Sequence, residues 1–438
     1  MEVWPNFNIW WGLLGLLPFV AYIVIMYLGM DMVPGTLLCV ILGGIINHQG
    51  ILGMGNEIMG ALKTPLAVVG FIIMLGRGLG MVLSETKVAH TIVYGIMHFI
   101  GINTKKRAMF GIMIATMFIT ALLGTMAGGV AIIAPIVVPI AAAVGLTPAT
   151  VAVLFQGVGE EALTLGPFTP PVVTLLAITG LTYSTMVLGA AIPVAVVTIV
   201  VTWFMALRIQ RQTENSLAYS EDMQVEAFHP DKKRKFAAAV FLITFFALIV
   251  YGISIKAGTG FVVAIMIGLA LLVGQIARLS LDNTFQLFVK GMAGNLWLFF
   301  GILLLSPLIN YVEMAGGFKA LTKLVEPLLN AGGAAATVIV AGLFGAFGVS
   351  GNVVAEMMTL HTMFKDVLVG QEVSMVAWAV TLIVATRVTN FIYPGGNMFA
   401  MMGFAELKEM KWMLKNGYVV AFAQTILLIV YAILFVKK

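Results

Sequence analysis

Charge and cysteine are what this 438-residue chain lacks. Asp, Glu, Lys and Arg together make up 10% of it, against 61% hydrophobic residues, a balance outside the range of soluble domains. Cys39 is the one cysteine, which excludes an intramolecular disulfide framework, a cysteine-rich metal site and a CxxC redox pair. The five histidines are scattered without zinc spacing. HExxH, GxSxG and paired-aspartate motifs are also missing, so an enzyme is not expected and neither is a cofactor. "GRGLG" (Gly76–Gly80) lies within an apolar run and not after a strand, so it is no phosphate loop. The net charge of +5 reads as basic loops facing anionic lipid, not as nucleic-acid binding.

What the chain has is apolar length. Ile9–Met30, Ala237–Ile255, Gly260–Ile276 and Gly417–Val436 are each about long enough to cross a bilayer. The first has no Lys or Arg before it and no small-residue cleavage site after it, and reads as a retained helix. The expected fold is therefore an all-α polytopic membrane protein of the cell (inner or plasma) membrane. It would have about 12–14 transmembrane segments in two inverted repeats, with broken helices or re-entrant hairpins. The 47 glycines fit close helix packing.

One polar stretch, Leu207–Lys235, divides the chain into halves, 1–206 and 236–438. It carries Arg208, Arg211 and Lys232 to Lys235, and the positive-inside rule places it in the cytoplasm. Lys105 to Arg107, Arg278 with Lys290, and Lys408, Lys411 and Lys415 form further basic clusters. If all face inward, the simplest count is about seven crossings per half, which inverts the second half. Met126–Val144 and Gly351–Gly370 read as re-entrant hairpins would change that parity. "ELKEMKWMLKNG" (Glu406–Gly417) reads as a short amphipathic interfacial helix anchored by Trp412.

The halves resemble one another. "GTMAGGVAIIAP" (Gly124–Pro135) matches "FGVSGNVVAEMM" (Phe347–Met358) at an offset of 223. "GPFTPPVVTLLAITG" (Gly166–Gly180) matches "NFIYPGGNMFAMMGF" (Asn390–Phe404) at 224. Two features at nearly one offset indicate a repeat. Pro167, Pro170 and Pro171 lack N–H donors and clash with the preceding turn, so the helix must unwind there, and Pro394-Gly395-Gly396 should do the same. Unwound backbone at membrane depth persists only where it lines protein or a site. Paired broken helices in inverted repeats are the layout of secondary transporters, with freed carbonyls and helix ends available to ions and substrate.

The costly residues cluster beside the breaks. Glu160 and Glu161 are adjacent carboxylates in an apolar span, each needing a partner, a proton or a cation. They point about 100° apart, so both are not expected in one cavity. Glu161, nearer the break, is favoured for proton or sodium coupling; a helix-packing ion pair is the plainer reading. Arg387 suits a carboxylate ligand through its bidentate fork, or else pairs with a glutamate of the other half. Ser350, Gly351 and Asn352 precede a helix carrying Glu356, the third coupling candidate, and either cap that helix or bind an anion. Thr125, Gly128 and Gly129 form the matching turn in the first half. Thr169, Asn390 and Asn397 flank the breaks, with sodium conceivable near Glu161 or Asn397. His361 reads as structural, and Arg77 ranks below Arg387.

The pattern resembles the ion transporter superfamily, and within it the gluconate, lactate and short-chain carboxylate permeases. The likeness covers most of the chain as architecture and runs best from "GGVAIIAPIVVPIAAAVGLTPATVAV" through "LGPFTPPVVTLLAITGLTYSTMVLGAAIP". It implies a secondary active transporter moving a small organic anion with H⁺ or Na⁺ by alternating access, with a homodimer left open. A Na⁺/H⁺ antiporter of the same superfamily is the alternative. "GPFTPP" replaces the permeases' His- and Pro-rich break, and "SGN" only partly echoes the Ser-Asn-Thr signature of the sodium-coupled dicarboxylate branch.

Overall fold

A computed structural model describes residues 9–28, 30–219, 228–255, 257–346 and 353–437. The described residues are helical throughout, without strands. Among the described residues, ten helices are long and apolar enough to cross a bilayer and four shorter ones are apolar, so the chain is an all-α polytopic membrane protein. The N-terminal run divides at Leu16 into α1 (Ile9–Gly15) and α2 (Leu17–Tyr27), followed by α3 (Met32–Ile46), α4 (Ile51–Ala61), α5 (Pro65–Glu85) and α6 (Val88–Ile100). Next come α7 (Lys105–Leu123), α8 (Met126–Ala143), α9 (Pro148–Leu165), α10 (Pro170–Thr179), α11 (Tyr183–Met186) and, after a π-helical turn at Val187–Ala191, α12 (Ile192–Thr213).

Beyond the polar stretch lie α13 (Lys232–Ser254), α14 (Thr259–Ile276), α15 (Leu281–Ala293), α16 (Leu296–Met314) and α17 (Gly317–Ala346). The last bends at Gly333, whose φ of +58° suits glycine alone at little strain. The chain ends with α18 (Val353–Gly370), α19 (Met375–Ile392), α20 (Gly396–Phe404) and α21 (Lys411–Phe435). No separate interfacial helix forms at Glu406–Gly417, because Lys411 already opens the long α21. Gly417, inside α21, serves close packing: a Cβ there would lie 2.0 Å from the Phe391 carbonyl oxygen.

Burial sorts the helices into layers. Nearly every residue of α9 and α19 is buried. By contrast α21 exposes Phe422, Ile426 and Ile433, and α12 exposes Val196, Val200 and Phe204, apolar stripes at helical spacing that suit lipid. The two central helices also start from opposite faces. The α9 N-terminus is tied to the end of α12: Gln210 Oε1 accepts from the Thr147 N–H (3.0 Å) and the Thr150 hydroxyl (2.8 Å). Lys415 near the start of α21 reaches Gln212 at that same face (2.7 Å). The α19 N-terminus instead lies at the far end of α21, where Ser374 N–H donates to the Val436 carbonyl (2.8 Å). A 25-residue helix such as α21 is roughly 37 Å long, and that length separates the two starting points.

Candidate functional site

Both central helices break where proline and glycine say they should, in a way that reassigns the prolines. α9 unwinds over residues 166–169, and Pro170 and Pro171 open α10 rather than end α9. Proline fits a first turn, where its missing N–H is not needed. α19 unwinds over residues 393–395 and α20 begins at Gly396. The correspondence between these segments runs at 227, not at 223 or 224. Thr147 and Ser374, 374 − 147 = 227 apart, each cap their helix by accepting an N–H three residues on, and the last helical residues, Leu165 and Ile392, differ by 392 − 165 = 227. Glu160 and Arg387 are also 227 apart, each six residues before its break.

These two residues meet. Both side chains are fully buried and ion-paired, Arg387 Nη1 donating to Glu160 Oε2 and also to the Glu160 carbonyl at 3.1 Å. Asn390 Nδ2 donates to the same carboxylate oxygen at 3.1 Å. Asn397 of α20 and Gln156 of α9 donate to Oε1 at 3.3 and 3.4 Å. Glu160 therefore has four donors from three helices, enough to hold an ionised carboxylate away from water. Arg387 is less well served. Its Nε and Nη2 are buried without a hydrogen-bond acceptor, an unusual condition for a guanidinium.

Glu161 faces the other way, toward α12 and α21, and is equally buried. Gln424 Nε2 donates to Glu161 Oε1 (3.0 Å) and to Thr198 Oγ1 (2.7 Å). Thr164 Oγ1 lies 3.3 Å from Glu161 Oε2 and 2.8 Å from the Glu161 carbonyl. None of these partners is charged. The roughly 100° between successive helical side chains thus gives one glutamate a cation and the other only neutral groups.

Three of the carbonyls at the first break are taken by side-chain hydroxyls. Thr169, fully buried, places its hydroxyl 2.5 Å from the Leu163 carbonyl and 2.8 Å from that of Gly166. Tyr183 OH donates to the Leu165 carbonyl at 2.6 Å. Thr169 closes the break rather than opening onto a cavity. At the second break, the Asn390 carbonyl accepts from Gln156 at 3.3 Å.

The remaining candidates divide. The turn holding Thr125, Gly128 and Gly129 abuts the first break: a Cβ on Gly124 would sit 3.4 Å from the Phe168 carbonyl, and one on Gly129 only 2.9 Å from Thr120 Oγ1. Glycine there permits close packing of α7 on α8. Ser350, Gly351 and Asn352 lie outside the described residues. Glu356 has a buried Oε1 without a hydrogen-bond partner, near Gly345, whose added Cβ would lie 2.9 Å from it. His361 Nδ1 accepts from Trp378 Nε1 at 3.0 Å, a structural contact between α18 and α19. Arg77 binds the Gly294 carbonyl (2.5 Å) and Asn295 (2.8 Å), stitching α5 to the α15–α16 turn. A 410 Å³ cavity lies beside the first break, lined by Pro167, Phe168, Val173, Tyr183, Leu248 and Phe261 among others, but neither Arg387 nor Glu160 lines it. Gln156, Thr198 and Gln424 were missed from the sequence. The signal for Gln424 was there, as a lone amide within the apolar run of α21.

No family model matches the chain, and no curated protein sequence matches it significantly. Solved structures do. The Alcanivorax borkumensis YdaH transporter, described as having an unusual topology, aligns over 94% of this chain and 98% of its own, with a TM-score of 0.58 at 14% identity. Neisseria gonorrhoeae MtrF, described with a class of antimetabolite efflux pumps, aligns over 88% of this chain and 84% of its own, with a TM-score of 0.52 at 12% identity. At these identities the likeness is one of fold.

Proposed function

We propose that the protein is a secondary active transporter of a small organic anion, a carboxylate, working by alternating access in the inner or plasma membrane. The observation that carries this reading is the half-satisfied Arg387. Two of its nitrogens have no acceptor although the side chain is wholly buried. Nε and Nη2 form one edge of the guanidinium fork, the edge that takes both oxygens of a carboxylate. Glu160, itself fixed by Asn390 and Asn397, holds the arginine through Nη1 and leaves that edge unengaged. Antiparallel broken helices meeting at one charged centre support the two-repeat reading, with opening of either side driven by rearrangement around the pair. The fold shared with YdaH and MtrF supports transport as the activity class, and MtrF's grouping with efflux pumps makes export as well as uptake a direction to measure. Glu161 and Glu356, carboxyls without a cationic hydrogen-bond partner, are the coupling-ion sites in this reading.

A Na⁺/H⁺ antiporter is the second reading, favoured by the pairing of Arg387 with Glu160, which gives the arginine a structural reason to exist. Thermal unfolding of the purified protein across a panel of short-chain and sugar-acid carboxylates, in sodium and in potassium buffers, separates the two. A ligand that binds the folded state raises the midpoint. A carboxylate that stabilises the wild type, and stabilises a folded Arg387→Lys variant at least tenfold more weakly, is the expected result. Carboxylate stabilisation unchanged by Arg387→Lys, or stabilisation by sodium alone, would favour the antiporter.

A further inference from the structure

We propose that Glu161 takes the coupling ion as a proton and not as sodium, in a closed shell made by Thr164, Thr198 and Gln424. This deepens the transporter reading and rests on it. The argument is a count of donors and acceptors. Gln424 donates one N–H to Glu161 Oε1 and the other to Thr198 Oγ1, and the Thr198 hydroxyl hydrogen goes to the Val194 carbonyl at 3.1 Å. Thr164 has one hydroxyl hydrogen, and its nearer acceptor is the Glu161 carbonyl at 2.8 Å rather than Oε2 at 3.3 Å. With that hydrogen on the carbonyl, Oε2 faces an oxygen lone pair. The contact is attractive only when Oε2 itself carries a hydrogen.

The Gln424 oxygen adds a second, independent sign. It is buried without a partner, and turning the amide over would aim it at Glu161 Oε1 and Thr198 Oγ1. In that orientation it accepts a proton carried on Oε1. The orientation shown suits a proton on Oε2, and the turned one a proton on Oε1 with the Thr198 hydrogen moved from the Val194 carbonyl to the amide oxygen. In the orientation shown, the amide turns its NH₂ and not its oxygen toward the carboxyl, and the Leu163, Leu165 and Gly166 carbonyls at the break already accept hydrogen bonds, so this shell offers a proton better partners than sodium.

The charged surroundings leave the acid uncompensated. The charged groups acting on Glu161 are Arg387 on α19 and Glu160 on its own helix, and that arginine is already ion-paired with Glu160. Of the other elements packed on α9, α8, α10, α20 and the π-helical turn carry no charged residue. Lys105, Lys106 and Arg107 open α7, Arg208 and Arg211 close α12, and Lys411 and Lys415 open α21. Arg208 is ten residues past Thr198 and Lys415 nine before Gln424, roughly 14 Å along each helix. The tyrosine nearest Gln424 on α21, Tyr418, is exposed.

Infrared difference spectroscopy on the reconstituted protein tests this without a substrate. The wild type should show a protonated-carboxyl C=O stretch that bleaches as pH rises, with one component missing in Glu161→Gln. Its midpoint should be the same in NaCl and KCl. Gln424→Leu, which keeps the carboxyl, should retain that component and displace its midpoint by roughly one pH unit. The proposal is overturned by a spectrum that Glu161→Gln does not change, by a midpoint that moves when sodium replaces potassium, or by a Gln424→Leu midpoint equal to wild type. If Glu161→Gln does not fold, the last two outcomes still decide. Failure of anion transport with the infrared component intact counts against the transporter reading alone.

Discussion

Glu160 and Glu161 are consecutive residues of one helix, equally buried, and the fold treats them oppositely. The face of α9 toward α19 and α20 gives Glu160 an arginine and three amide donors. The face toward α12 and α21 gives Glu161 a glutamine and threonines. A carboxylate ion-paired to a buried arginine ties two helices together and is costly to unpair. One without a counter-charge at this depth must hold a proton or a cation, and can therefore carry one across. In the proposed reading the pair separates structural charge from exchangeable charge within a single turn.

Breaking the structural side should have the largest effect. Glu160→Gln strands the buried guanidinium, and removing one partner of a buried pair costs about 3–5 kcal/mol, so thermal unfolding in detergent should show severe destabilisation or no folded protein. Replacing both residues, with Glu160→Leu and Arg387→Met, should recover much of that loss, because no unpaired charge remains. Closure of the first break is next. Thr169→Val keeps the shape but removes the hydroxyl shared by Leu163 and Gly166, for about 1–3 kcal/mol, read in the same unfolding assay. Glu161→Gln should be milder still, within about 1 kcal/mol of wild type, because an amide replaces a group with no ionic partner.

The smallest effect belongs to a third carboxylate. Glu409 is outside the spans, and the hydrogen bonds from Lys411 (2.6 Å) and Trp412 Nε1 (3.0 Å) hold it below the ordinary glutamate value, the lysine contributing most. A depressed carboxyl stabilises the fold above its unfolded-state pKa, and the benefit fades as pH falls through the folded value. Glu409→Gln should leave the midpoint nearly unchanged at neutral pH and flatten only the acid limb of its pH dependence.

Much of this was legible in the sequence, and the limits have physical causes. Apolar length and sparse charge announce the spans, and "GPFTPP" and "YPGG" announce the breaks. Aligning glycine and proline content gives offsets of 223 and 224, four and three residues short of the 227 between the helix caps. The caps Thr147 and Ser374 and the pair Glu160 and Arg387 are each 227 residues apart. Opposite charges at equivalent positions look unrelated when a sequence is compared with itself, although only opposite charges can meet there. Which of two adjacent glutamates takes the arginine depends on helix rotation, which no local pattern records. Thr169 looked like a ligand because it flanks a break, whereas the carbonyls that the break exposes claim its hydroxyl first.

The division between the two carboxylates is tested most directly in proteoliposomes, by uptake of a radiolabelled short-chain carboxylate that binds the wild type, under an imposed proton gradient. The wild type should accumulate it above equilibrium, whereas Glu161→Gln should exchange it across the membrane without accumulation. Full gradient-driven accumulation by Glu161→Gln would contradict the assignment of exchangeable charge to that face of α9.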